Sequence, residues 1–128
     1  MQNTKNSSAQ FSEDQGQILV KLARKTIMEK LGRKSTALEA NALAKALQDD
    51  KFKTTCGTFV TLKIHGQLRG CIGNLTSSDS VLTGVKQNAI NAAFHDPRFS
   101  PLSDDEFDQT EIEVSILSEP KPLEYRDG

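Results

Sequence analysis

At 128 residues the chain is long enough for one domain that buries roughly two thirds of its unfolded surface around a single core. Its 16 basic and 17 acidic side chains leave a net charge of −1, which argues against a nucleic-acid or anionic-membrane ligand. The charge is uneven, with 11 basic and 6 acidic residues in 1–63 against 5 and 11 in 64–128, a pattern that either marks a partner surface or lets two halves of one domain complement each other.

Residues 1–11 read as a disordered tail. The opening Met1-Gln2-Asn3-Thr4-Lys5 is polar and lacks the apolar core of a signal peptide. No stretch approaches the ~20 apolar residues that span a bilayer, so a reducing cytoplasm is expected. The sequons at Asn6 and Asn74 then carry no meaning. Cys56 and Cys71, with 14 residues between them, form neither a disulfide framework nor a Cys-x-x-Cys knuckle.

Ser12 and Gln15 make a capping box ahead of Ile18, Leu19, Leu22, Ala23, Ile27 and Leu31, which recur at helical spacing, with Gly32 as terminator. The basic residues of this stretch, Lys21, Arg24, Lys25, Lys30, Arg33 and Lys34, lack interleaved aromatics and read as a solvated helix face. The alanine-rich run 35–48 is compatible with a second helix. A hairpin follows. Placing Ile64-His65-Gly66 in a three-residue loop pairs Leu62 with Leu68 and Thr61 with Arg69, and moves Arg69 and Cys71 off the apolar face to join Thr61 and Phe59. Ser77-Ser78-Asp79-Ser80 offers N-caps for a helix through about His95, with Val81, Val85, Ala89 and Ala92 as its stripe, ended by Asp96-Pro97. Ser103 and Glu106 suggest a capped turn of helix. Glu111-Ile112-Glu113-Val114-Ser115-Ile116 alternates as a half-buried strand, closed by Pro120 and Pro122. The elements predict an α+β fold in which an antiparallel-rich mixed sheet (hairpin 58–73, strand 110–118) is packed by helices 13–31 and 79–95.

The most informative residues are Leu68-Arg69-Gly70-Cys71-Ile72-Gly73. On a strand, Arg69 and Cys71 share a face, and a guanidinium beside a thiol favours the thiolate, the form that attacks or ligates. Gly70 and Gly73 leave room for another backbone or a small ligand. Glu111 or Glu113 would be the natural partner of Arg69. The bland alternative makes Cys71 a small buried hydrophobe and Arg69 half of a structural ion pair.

Four features together resemble the AMMECR domain family, whose bacterial and archaeal members are called AmmeMemoRadiSam system protein A. They are Phe59-Val60-Thr61-Leu62, the Leu68–Gly73 hexapeptide, Ala92-Ala93 followed by Asp96-Pro97-Arg98-Phe99, and Ile112-Glu113-Val114-Ser115-Ile116-Leu117. The resemblance covers residues 13–125. Domains of the family continue further, through more strands and a Leu-Pro-x-Val-Trp-like segment. A single domain over residues 12–125 is therefore expected to lack the family's C-terminal part, which would leave a strand edge open for a homodimer. The resemblance implies an α+β fold and no settled activity. It implies a Memo-like protein and a radical S-adenosylmethionine enzyme as partners.

Two readings of the chemistry stand side by side. In the first, a binding or adaptor module presents the hexapeptide face, with Thr61, Gly70, Gly73, Arg98 and Glu113 as contact residues and Arg69 as anchor. In the second, Cys71 is a nucleophile, Arg69 holds an anionic substrate group, and His95 (or His65) is the general base. For Arg98 the bland role is an ion pair with Asp104, Asp105 or Glu106, and the functional one is a second cation folded over the hexapeptide. His95 is equally suited to complementing the dipole of its helix. Cys56, Cys71, His65 and His95 match no usual zinc spacing, and no phosphate-binding loop is present, so neither a metal nor a cofactor is expected.

Overall fold

The computed structural model describes residues 11–76, 78–117 and 122–127. Helix α1 (Glu13–Lys30) is followed by α2 (Ala37–Ala46), a 3₁₀ turn (Asp50–Lys53), the hairpin strands β1 (Gly57–Ile64) and β2 (Gln67–Asn74), helix α3 (Val81–Phe94), the single turn α4 (Asp104–Phe107), and strands β3 (Thr110–Leu117) and β4 (Pro122–Arg126). The strands form one sheet in the order β2-β1-β3-β4, and every pairing is antiparallel. This is an α+β fold.

Local chemistry accounts for most boundaries. Ser12 and Gln15 exchange the two bonds of a capping box at the start of α1, and Gly32 (φ +86°) follows its C-cap. Thr36 with Glu39 and Ser103 with Glu106 do the same for α2 and α4. Ser80 caps α3 by accepting from the Thr83 N–H. In β3 burial alternates residue by residue, with Ile112, Val114 and Ile116 fully inside. These pack with Val60 and Leu62 of β1 against Leu19, Ala23 and Ile27 of α1 and Val85, Ala89 and Ala92 of α3. The helices lie on this one face of the sheet. Across the opposite face, Phe59, Thr61, Lys63, Cys71, Glu113 and Ser115 are all half-exposed.

The structure corrects three expectations. The hairpin turns on two residues, His65 (φ +52°) and Gly66 (φ +77°), the pair of left-handed conformations that a type I′ turn requires. Lys63 pairs with Leu68 and Leu62 with Gly70, so Arg69 is the extra residue of a β-bulge. The bulge shifts the register by one and sets Cys71 opposite Thr61, the place the three-residue loop gave to Arg69; Cys71 stays on the face of Thr61 and Phe59, and Arg69 turns elsewhere. Second, Pro122 opens a strand rather than ending one, because a proline without an N–H is tolerated at a strand's first position. Third, Phe11 belongs to the core: it is 6 % exposed, its ring lies 6.0 Å from that of Phe52, and its carbonyl accepts the Tyr125 hydroxyl. The rest of the expected tail, residues 1–10, lies outside the described residues, as do Ser77 and Ser118.

Candidate functional site

The hexapeptide occupies β2, an edge strand, and neighbours close that edge. Gly70 lies against α3 so tightly that a Cβ there would run into the carbonyl oxygen of Ala92. A Cβ on Gly73 would meet the ring of Phe59. Both glycines therefore serve close packing within the domain, and neither leaves space for a ligand.

Between them, Cys71 is half-buried, and its Sγ lies 3.2 Å from Oγ1 of Thr61 across the hairpin. The Cys71 main chain points out of the sheet and is met by a side-chain pair. Its N–H donates to Oδ2 of Asp96 at 3.0 Å, and its carbonyl accepts from Nη2 of Arg98 at 3.4 Å. Asp96 is only 3 % exposed and also accepts from the Arg98 main chain (3.0 Å), Nε (3.1 Å) and Nη2 (2.8 Å). Those Arg98 bonds hold the Asp96 carboxyl far below the ordinary carboxylate range, against the opposing effect of burial. The Asp96 carboxylate correspondingly raises the pKa of Arg98, whose side chain remains 56 % exposed. Asp96 and Arg98 thus satisfy an edge residue as one residue of a neighbouring strand would.

Arg69 serves the opposite end of the bulge. It is 8 % exposed, and its Nε and Nη2 make a two-pronged pair with Glu106, both bonds 3.0 Å, while Nη2 also reaches the Ser100 carbonyl at 2.8 Å. Nη1 is buried without a hydrogen-bond partner among the described residues. The Arg69 bonds, with the Ser103 N–H, hold the Glu106 carboxyl at about 2. The Phe99 ring lies under both guanidiniums, 5.5 Å from Arg69 and 5.4 Å from Arg98.

This arrangement revises the sequence assignments. Glu113 pairs with Lys63 at 3.1 Å, and Arg69 takes Glu106 instead. Arg98 takes Asp96, and Asp104 goes to Arg33 together with Asp108. The guanidinium that reaches Cys71 is that of Arg98. His95 is the exposed C-cap of α3, and no described hydrogen bond joins its ring to Cys71. His65 sits in the turn with Nε2 3.2 Å from Oε1 of Gln109. Among the described residues no group of His, Cys, Asp and Glu is arranged to hold a metal ion, and no helix is long and apolar enough to cross a membrane.

Two residues of the site's support escaped the sequence reading. The sequence offers Glu106 as half of a capping box and as one possible partner of Arg98, and gives no sign that it holds Arg69. Asn88, on the buried side of α3, donates to Thr58 O at 3.0 Å, Thr58 Oγ1 at 2.9 Å and Asn74 Oδ1 at 3.3 Å, fixing the open end of the hairpin. Its one sequence signal is that an amide adjoins Ala89 on an otherwise apolar stripe.

An α+β domain with a one-sided antiparallel sheet and a plugged Leu68–Gly73 edge is the class this geometry defines. The AMMECR1 family model matches residues 20–127, and the chain belongs to that family. A protein of Methanothermobacter thermautotrophicus is 41% identical over 117 residues, covering 91% of this chain and 58% of its own length. One of Thermotoga maritima is 45% identical over 80 residues, covering 61% of this chain and 46% of its own. The crystal structure of the uncharacterized protein PH0010 from Pyrococcus horikoshii is similar with a TM-score of 0.66 at 31% identity, over 83% of this chain and 52% of that one. The chain spans about half the length of the relatives it matches.

Proposed function

We propose that the chain is a cytoplasmic binding module that receives a protein partner on the helix-free face of its sheet, centred on Thr61 and Cys71. The observation that carries this reading is the one-sided sheet: Val60, Leu62, Ile112 and Val114 are fully buried beneath the helices, while Phe59, Thr61, Cys71, Glu113 and Ser115 between them are not. A flat, mixed face with a half-exposed aromatic suits a partner surface better than a small substrate. Arg69, already held by Glu106 and Ser100, acts as a support of the bulge and not as an anchor. The rim cation is Arg98. A Memo-like protein and a radical S-adenosylmethionine enzyme are the partners proposed, on the family association. The test is titration of each purified partner into the chain by calorimetry, with Thr61→Arg as the face-blocking variant. Saturable heat that this variant abolishes supports the reading, and heat it leaves unchanged refutes it.

A second reading, an enzyme or enzyme component with Cys71 as nucleophile and His95 as general base, draws on one observation. Arg98 reaches the Cys71 peptide and stays exposed, so the role of holding an anionic group passes from Arg69 to Arg98. Its mark would be alkylation of Cys71 that slows in Arg98→Ala at fixed pH. An unchanged rate removes this reading.

A further inference from the structure

The two edges of the sheet are finished differently. At β2 the Asp96–Arg98 pair meets the Cys71 main chain, and the α3 backbone presses on Gly70. At the other edge, β4 has β3 on one side and, among the described residues, no strand on the other. The register says which of its main-chain groups are left over. The Asp127 N–H donates to the Ile112 carbonyl, and Cα partners run from Glu113↔Arg126 to Leu117↔Pro122. Bonding groups alternate along an antiparallel ladder, so Tyr125, like Asp127, turns its N–H and carbonyl toward β3, and Glu124 and Arg126 turn theirs outward. The Arg126 carbonyl accepts from Nε2 of Gln17 at 3.0 Å, and no described hydrogen bond takes up the other three groups. A carbonyl has a second lone pair, so Gln17 does not close the row.

The side chains along this row say what pairs with it. Glu124 and Arg126 stand beside Ser115 and Glu113 on the helix-free face, while Tyr125 between them is buried on the other. Their charged groups are 4.0 Å apart and more than half exposed, a contact of little worth in water, so each is free to take a better partner. Laid antiparallel against itself about Tyr125, the strand sets Glu124 opposite Arg126 of the second copy, and Arg126 opposite Glu124 of the second copy. A strand with an acid and a base two positions apart is thus its own complement. The same two-fold lets each Glu124 exchange main-chain bonds with the opposing Arg126, which uses the outward groups that the fold leaves over. We infer that β4 pairs with β4 of a second copy in a two-fold dimer, joining the two sheets into one. Thr61 on β1 and Cys71 on β2 lie away from this edge, so their face stays open to the partner proposed above.

Sedimentation velocity of the full chain from ~10 μM to ~1 mM reads the association, since one short strand pair is a small interface at the weak end of specific contacts. The parent is expected to form a reversible dimer within that range. Glu124→Arg and Arg126→Glu each set like charges across the two-fold, and each is expected to weaken the dimer at least about tenfold. Both side chains are exposed, so neither reversal touches the core. The two variants complement each other. An equimolar mixture is therefore expected to recover the parent's association to within about threefold, as a heterodimer resolved by native mass spectrometry. Lys86→Glu, an exposed reversal on α3, controls for net charge and is expected to leave the dimer as it is. A parent chain that stays monomeric at ~1 mM, a dimer indifferent to both β4 reversals, or a mixture that associates no better than its components overturns the inference.

Discussion

The Asp96 carboxylate accepts the main-chain N–H of Cys71 at 3.0 Å, and the Arg98 guanidinium it holds reaches the carbonyl of the same residue. An edge strand with free main-chain groups is a template for unwanted pairing, and here a side-chain pair two residues apart in sequence fills the place of a neighbour. Asp96→Ala removes the acceptor from Cys71 and the counter-charge from Arg98 together. The variant is expected to lose more than about 5 °C in Tm and to associate more strongly than the parent chain. Thermal unfolding by circular dichroism and sedimentation velocity measure the two effects.

The Arg69–Glu106 pair makes stability depend on acidity in a definite direction. Glu106 is lowered from 4.5 to about 2 in the folded chain, chiefly by its Arg69 bonds. A carboxyl lowered on folding contributes its full stability above its unfolded value and loses it as pH falls toward the folded one. The window is therefore pH 4.5 down to about 2, and Asp96, lowered by Arg98, acts in the same direction. The side chain of Glu106 is partly open to water, so its share after screening is about 1 kcal/mol. Glu106→Gln should be less stable than the parent at neutral pH and should lose less on acidification through that window, as urea titrations at several pH values would show.

Two hairpin glycines should respond differently to alanine. At Gly70 a Cβ collides with the main chain of α3 at Ala92, which cannot move aside as a side chain can. Gly70→Ala is expected to cost about 3 kcal/mol through overpacking. At Gly66 nothing lies near the new methyl, and only the left-handed φ of +77° is strained. Gly66→Ala should cost about 1 kcal/mol. Chemical denaturation of both variants measures the ratio.

The two thiols should separate under alkylation. Burial pushes the Cys56 thiol up, partly offset by the charge of Lys51. Cys71 is half-exposed on the helix-free face, on the edge strand β2. Iodoacetamide at neutral pH is expected to label Cys71 several-fold (about fivefold) faster than Cys56, by mass spectrometry of peptides from the native chain. Faster labelling of Cys56 would place the accessible thiol elsewhere.

What the sequence disclosed follows the range of the interactions. Ser12 with Gln15, Gly32, Ser80 and the alternation from Glu111 to Ile116 are short-range signals, and each ends or faces an element where expected. The family was legible because its residues form compact blocks, above all Leu68–Gly73 and Asp96–Phe99. The bulge at Arg69 was not, since alternation along β2 carries no mark of an extra residue, and the partners that hold Arg69, Glu106 and Ser100, lie more than 30 positions away. Arg69 and Glu106 lie 37 positions apart, and alternation along one strand points to Glu111 or Glu113 instead. Strand β4 was hidden by Pro122, which reads as a terminator unless the chain has already turned back beside β3. Phe11 looked like tail because it precedes the cap, yet Tyr125 and Phe52 hold it from far along the chain.

The central claim is that the Thr61–Cys71 face receives a protein. Thr61 is half-exposed on the helix-free face, so an arginine there can extend into solvent and the fold should tolerate it. The deciding measurement is the calorimetric affinity of parent and Thr61→Arg chains for the purified Memo-like protein and the radical S-adenosylmethionine enzyme, with Tm recorded for both chains. The account predicts saturable binding to at least one of them, weakened at least about tenfold in Thr61→Arg at unchanged Tm. Binding that Thr61→Arg leaves intact, or none by the parent chain to either protein, would contradict it.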